Sequence, residues 1–195
     1  MKEDLCIAIL AGGKSRRLGR DKAMLVFNEL PLIDISFIEL KQLSENIRII
    51  GSVRKKSRVP EELFVDDAVK NRGPIGGLYT ALMYFKKPVL LTSCDMPFLK
   101  QKHYRFLISQ TDQTKIATVA RSDKGLEPLL AVYKPDLIPK IEKQLANKSY
   151  ALHQLFNQAD IKIVDFSTSF DISRLFFNIN TLSDYKKALY LSEQN

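Results

Sequence analysis

Apolar residues in this chain gather in short runs set between longer amphipathic stretches. Leu5 to Leu10 is an uninterrupted apolar run closed by Gly12-Gly13, and it predicts a fully buried strand that turns sharply into a loop. Pro31 to Leu43 carries apolar residues at 32, 33, 35, 37, 38, 40 and 43, a helical spacing. Ile47 to Ile50 and Leu63 to Val65 predict two further strands. Pro74 suits the first turn of a helix that continues over Leu78 to Phe85. Val89 to Thr92 predicts a buried strand stopped by Cys94-Asp95-Met96-Pro97.

Beyond residue 110 the pattern predicts strands at Ile116 to Ala120 and Leu129 to Tyr133 around a turn at Ser122 to Gly125. Helices are expected at Pro135 to Leu145, Tyr150 to Asn157 and Ser183 to Leu191. Strands are expected at Ile161 to Phe166 and Phe176 to Ile179. The alternation of strand and helix over residues 5–110 calls for a three-layer α/β/α fold with a Rossmann-like, mostly parallel sheet. No linker or repeat interrupts the 195 residues, so one domain over 1–195 is expected.

Composition narrows the function. Basic residues outnumber acidic ones by 30 to 22, which favours an anionic partner. The two cysteines, Cys6 and Cys94, are far apart and the histidines number two, so a zinc site or disulfide framework is not expected. No apolar run reaches membrane-spanning length, and the start lacks the basic-then-apolar order of a signal peptide. A cytoplasmic protein without a membrane or nucleic-acid partner is the expectation; no RNA- or DNA-reading motif is present.

The densest chemistry lies in Leu10-Ala11-Gly12-Gly13-Lys14-Ser15-Arg16-Arg17-Leu18-Gly19-Arg20-Asp21-Lys22. Residues 14–22 hold five cations and one acid. Glycines after a strand let backbone N–H groups approach a phosphate, and in open α/β sheets ligands sit outside the strands' carboxyl ends. The spacing fits neither GxxxxGK[ST] nor GxGxxG. Asp95 follows an apolar strand and faces the same crevice; it suits either Mg²⁺ coordination or a helix cap.

The run resembles the LAGGxSxRxGxDK signature of the molybdenum cofactor guanylyltransferases, MobA-like members of the nucleotidyltransferase fold, with Leu18 where methionine is common. The resemblance implies a sheet of the nucleotide-diphospho-sugar transferase type and transfer of GMP from GTP to a molybdopterin-type cofactor, with pyrophosphate released. It implies GTP contacts from Leu10, Ala11, Gly12, Gly13, Lys22, Asp66 and Asp95, charge neutralisation by Arg17 and Lys22, and Mg²⁺ on Asp95 within CDMP. Asp66 is preferred to Asp67 because six residues separate it from Gly73-Pro74-Ile75-Gly76-Gly77, which is similar to the family's GPLAGL, and the family has an aspartate at about that distance.

Ser52 falls where the family often has asparagine. Asn178, Asn180 and Thr181 resemble its NxNTPED element, with Leu182-Ser183 replacing Pro-Glu; they read as contacts to the pterin substrate or the metal's waters, or as strand-end and cap residues. Glu127-Pro128-Leu129-Leu130-Ala131 also resembles a family element, without a clear role. Cys94 reads as packing, and Arg54 to Arg58 as a solvated basic face. A monomer or weak oligomer is expected, in transient contact with molybdenum cofactor enzymes or chaperones. The alternatives are a nucleotidyltransferase with CTP or a sugar phosphate, a nucleotide-binding regulator, or a nucleic-acid binder.

Overall fold

The computed structural model describes residues 5–11, 21–52, 56–157 and 159–194. In chain order the strands are β1 (Cys6–Leu10), β2 (Val26–Phe27), β3 (Leu30–Pro31), β4 (Ile47–Ile50), β5 (Phe64–Val65), β6 (Val89–Ser93), β7 (Ala117–Ser122), β8 (Gly125–Tyr133) and β9 (Ile161–Asp165). The helices are α1 (Leu32–Leu40), α2 (Pro74–Phe85), α3 (Gln101–Ser109), α4 (Ile138–Ala146) and α5 (Leu182–Glu193). Seven strands form one sheet in the order β5-β4-β1-β6-β8-β7-β9, and β2 pairs with β3 in a small hairpin. The ladders β5–β4, β4–β1, β1–β6 and β7–β9 are parallel; β8 runs antiparallel to both neighbours.

β1 is buried along its whole length, and its side chains alternate between the two faces of the sheet. Ile7 and Ile9 join the core beneath α1, α3 and α5, while Cys6, Ala8 and Leu10 join the core beneath α2 and α4. A strand covered on both sides cannot alternate apolar with polar, which is why it reads as a continuous apolar run. α2 starts at Gly73, whose φ of 65° suits glycine, followed by Pro74. It stops at Lys86 in the left-handed conformation.

Several boundaries depart from the expected ones. Leu63 lies in a short 3-10 turn, so β5 starts at Phe64. Tyr150 to Asn157 is not an α-helix; Leu152–Phe156 forms 3-10 turns that bury Leu152 and Leu155. Phe176 to Ile179 is not a strand: Phe176 and Ile179 are buried, but Ile179 donates its N–H to the carbonyl of Asp95 at 3.0 Å and joins no ladder. The hairpin β2–β3 and the 3-10 turn Lys22–Met24 were not anticipated. No described helix is long and apolar enough to cross a membrane.

Candidate active site

The parallel strands β1, β4, β5 and β6 end along one edge of the sheet, and the expected site residues follow those ends. Leu10 and Ala11 close β1, Ser52 follows β4, Asp66 follows β5 and Asp95 follows β6. Ala11 donates its N–H to Ile50 at 3.1 Å, and Gly51 donates to Val65 at 2.9 Å, so the edge stays in register past the strand ends. Both Leu10 and Ala11 are buried, so what they can offer a ligand is backbone. Gly12, Gly13 and Arg17 lie outside the described residues.

Lys22 projects from a short turn whose backbone is pinned by Asp21, which accepts the Ala23 N–H at 3.1 Å. Its ammonium meets Asp95 Oδ2 at 2.5 Å and Asn180 Oδ1 at 2.7 Å. The other carboxylate oxygen of Asp95, Oδ1, accepts the hydroxyl of Ser93. Asn180 is fixed in turn: Asp184 Oδ2 accepts its N–H at 3.0 Å and that of Thr181 at 2.8 Å. Burial works to raise the Asp184 pKa, but these donors and the nearby Lys22 charge outweigh it and hold the carboxyl below its ordinary range. Two segments remote from Lys22 in sequence thus converge on its ammonium.

Asp66 is exposed, whereas Asp67 accepts bonds from the Val69 N–H and the Thr80 hydroxyl, both at 3.0 Å. Asp67 is therefore committed to shaping the turn into α2. Gly76 and Gly77 answer to packing: a Cβ on Gly76 would stand 2.8 Å from the Val69 carbonyl oxygen, and one on Gly77 would stand 2.6 Å from Leu10 Cδ2. Thr181 caps α5 by accepting the Asp184 N–H at 3.1 Å, and Asn178 donates its amide locally to Phe176 at 3.2 Å. Ser52 is exposed at the rim.

Two further groups border this edge. Cys94 is buried, and burial pushes its thiol up to about 12, which leaves no thiolate for nucleophilic work. Glu127, half-buried on β8, accepts the Ser122 hydroxyl at 2.7 Å. Burial raises its pKa, and the Asp95 charge adds to the rise.

The donors around Asp95 are a carboxylate, a hydroxyl and an amide oxygen, which are hard oxygen ligands of the kind a small divalent cation takes. Among the described residues no group of three or more His, Cys, Asp or Glu side chains converges. One protein carboxylate with phosphate oxygens and waters is the arrangement Mg²⁺ commonly adopts, so the residues fit such an ion.

The sequence model of the MobA-like NTP transferase domain matches residues 7–161. The chain belongs to the MobA-like NTP transferases. A protein of Carboxydothermus hydrogenoformans described as a probable molybdenum cofactor guanylyltransferase is 29% identical to it, over 96% of each chain. Another of the same description, from Pelotomaculum thermopropionicum, is 32% identical over 96% of this chain and 93% of that one. The crystal structure of molybdopterin-guanine dinucleotide biosynthesis protein A from Archaeoglobus fulgidus aligns with a TM-score of 0.82 and 25% identity, covering 97% of this chain and 99% of that one.

As a MobA-like transferase the chain is an enzyme of nucleotidyl transfer. Along this edge, Ser93, Asp184 and Glu127 carry contacts for which sequence reasoning assigned no role. Ser93 had a readable signal, since a hydroxyl two residues before a strand-end carboxylate shares its side of the strand. The link from Lys22 to Asn180 had none, because tertiary closure alone brings them together.

Proposed function

We propose that this MobA-like enzyme transfers GMP from GTP to the terminal phosphate of a molybdopterin-type cofactor, with residues 1–195 acting as one catalytic unit. A phosphate oxygen of the acceptor attacks the α-phosphorus of GTP. The bond from that phosphorus to the β-bridging oxygen breaks, and pyrophosphate leaves with the electron pair. The acceptor is already an anion at neutral pH, so no strong base is required. What the protein must supply is alignment and neutralisation of charge.

The backbone of Leu10 to Gly13 would cradle the phosphates, with Arg17 and Lys22 countering their charge. Asp66 would position the nucleoside. Asp95 would hold Mg²⁺, which when bound neutralises phosphate oxygens. Ser52, Asn178 and Asn180 would border the acceptor; the Thr181 hydroxyl and N–H both engage Asp184 and its carbonyl takes the Tyr185 N–H, so Thr181 would serve by fixing the turn that carries Asn180.

The observation that carries the reading is the Lys22 ammonium on Asp95 and Asn180 at the carboxyl edge, a cation and a carboxylate set where polyphosphate and metal would meet. The descriptions of the two relatives support guanine and the molybdenum cofactor. The test offers the enzyme GTP, CTP or ATP with a molybdopterin-type acceptor and Mg²⁺, and follows pyrophosphate and the dinucleotide product. GTP is expected to be preferred. A preference for CTP, or no product with any of the three, would overturn the reading.

A further inference from the structure

Both oxygens of the Asp95 carboxylate are already engaged. Oδ2 holds the Lys22 ammonium at 2.5 Å, and Oδ1 holds the Ser93 hydroxyl. The pair is largely shielded, with 19% of the Lys22 side chain and 11% of the Asp95 side chain exposed. The ammonium is held from the far side too, by Asn180 Oδ1 at 2.7 Å. Asn180 cannot drift, because Asp184 accepts its N–H and the next one, and Ile179 beside it donates to the Asp95 carbonyl at 3.0 Å. A divalent cation approaching Oδ2 would meet a positive centre within hydrogen-bond distance of the same oxygen, and the two repel. A triphosphate changes that balance, since it offers Lys22 several anionic oxygens and brings its own metal ligands.

We propose that Lys22 keeps the metal position of Asp95 filled until a nucleoside triphosphate draws the ammonium away, so that the divalent cation enters with the nucleotide and not ahead of it. The proposal rests on the functional reading above, in which Asp95 is the metal carboxylate. It gives Lys22 a second duty besides countering phosphate charge, and it makes Asn180 a positioning residue acting through Lys22. Ser93, by occupying Oδ1, leaves Oδ2 as the oxygen over which cation and ammonium compete.

Mn²⁺ titrated into the protein, with the free ion followed by electron paramagnetic resonance, tests this without turnover. Wild type should take up Mn²⁺ poorly alone and well once a non-hydrolysable GTP analogue is added. Lys22→Met should bind Mn²⁺ alone about tenfold or more tightly than wild type, a typical coupling between competing ligands. Asn180→Ala, which loosens Lys22 while keeping it, should show a smaller gain in the same direction and serves if Lys22→Met does not fold. Lys22→Met combined with Asp95→Asn should lose the gain.

Equal Mn²⁺ affinity in wild type, Lys22→Met and Asn180→Ala without nucleotide would overturn the proposal, whatever the enzyme does with GTP. A gain that survives Asp95→Asn would overturn it as well. If Lys22→Met binds Mn²⁺ as expected but wild type takes up none with the GTP analogue, the occupancy of Asp95 by Lys22 stands and the entry of the cation with the nucleotide is overturned. The functional reading then fails with it.

Discussion

Lys22 and Asp95 illustrate how much one pair of side chains can decide. Each alanine substitution should lower turnover about 10²-fold or more, the usual cost of removing one group that stabilises charge in a transition state. Pyrophosphate release at saturating GTP and acceptor measures it, and a loss within about twofold would remove the residue from the mechanism. Both residues were legible in the sequence, because a lysine after a glycine loop and an acid after an apolar strand are places where the fold puts chemistry. Asn180 was legible only as a polar residue, and the structure adds its tie to Lys22. Thr181 was ambiguous between ligand and cap, and the structure makes it a cap.

The elements carry their own consequences. The first turn of α2 lies so close to the loop before it that Gly76 has no room for a methyl group against the Val69 carbonyl. Gly76→Ala should therefore destabilise the protein by about 1–3 kcal/mol, read as a lower urea midpoint with unchanged slope. At the start of α3, His103 is 6% exposed and its Nδ1 accepts the Lys100 N–H at 2.8 Å. Burial, then the charges of Lys102 and Lys100, lower its pKa from 6.5 to about 4, against an opposing pull from Glu39 on α1. The unfolded chain thus takes up this proton first. Stability should be level above pH 6.5 and fall as pH drops from 6.5 towards 4, by on the order of 2 kcal/mol at pH 5. Thermal melts of wild type and His103→Gln across that range check it; the variant should melt with a flatter acid limb.

The strands and most helices were readable because buried parallel strands must be apolar throughout. Phe176 to Ile179 looked like a strand for the same reason, yet Phe176 and Ile179 bury their side chains in the core without pairing. Leu152 and Leu155 satisfy a 3-10 spacing as well as an α-helical one, so periodicity could not separate the two.

At the scale of the molecule, the four parallel strand ends fix where Leu10, Ser52, Asp66 and Asp95 stand, and the last helix completes the arrangement. Thr181→Ala removes the cap of α5 and should cost about 1 kcal/mol of stability. It should also lower turnover beyond what that loss of folded protein explains, since the same capping box holds Asn180. Denaturant melts compared with turnover in matched amounts of folded enzyme separate the two effects. The bond between Lys22 and Asn180 spans 158 positions of sequence. During synthesis the opening strand and its loop leave the ribosome long before the segment that steadies them. A nascent or carboxyl-truncated chain therefore holds every glycine and cation of residues 12–22, yet its lysine lacks one of its two anchors.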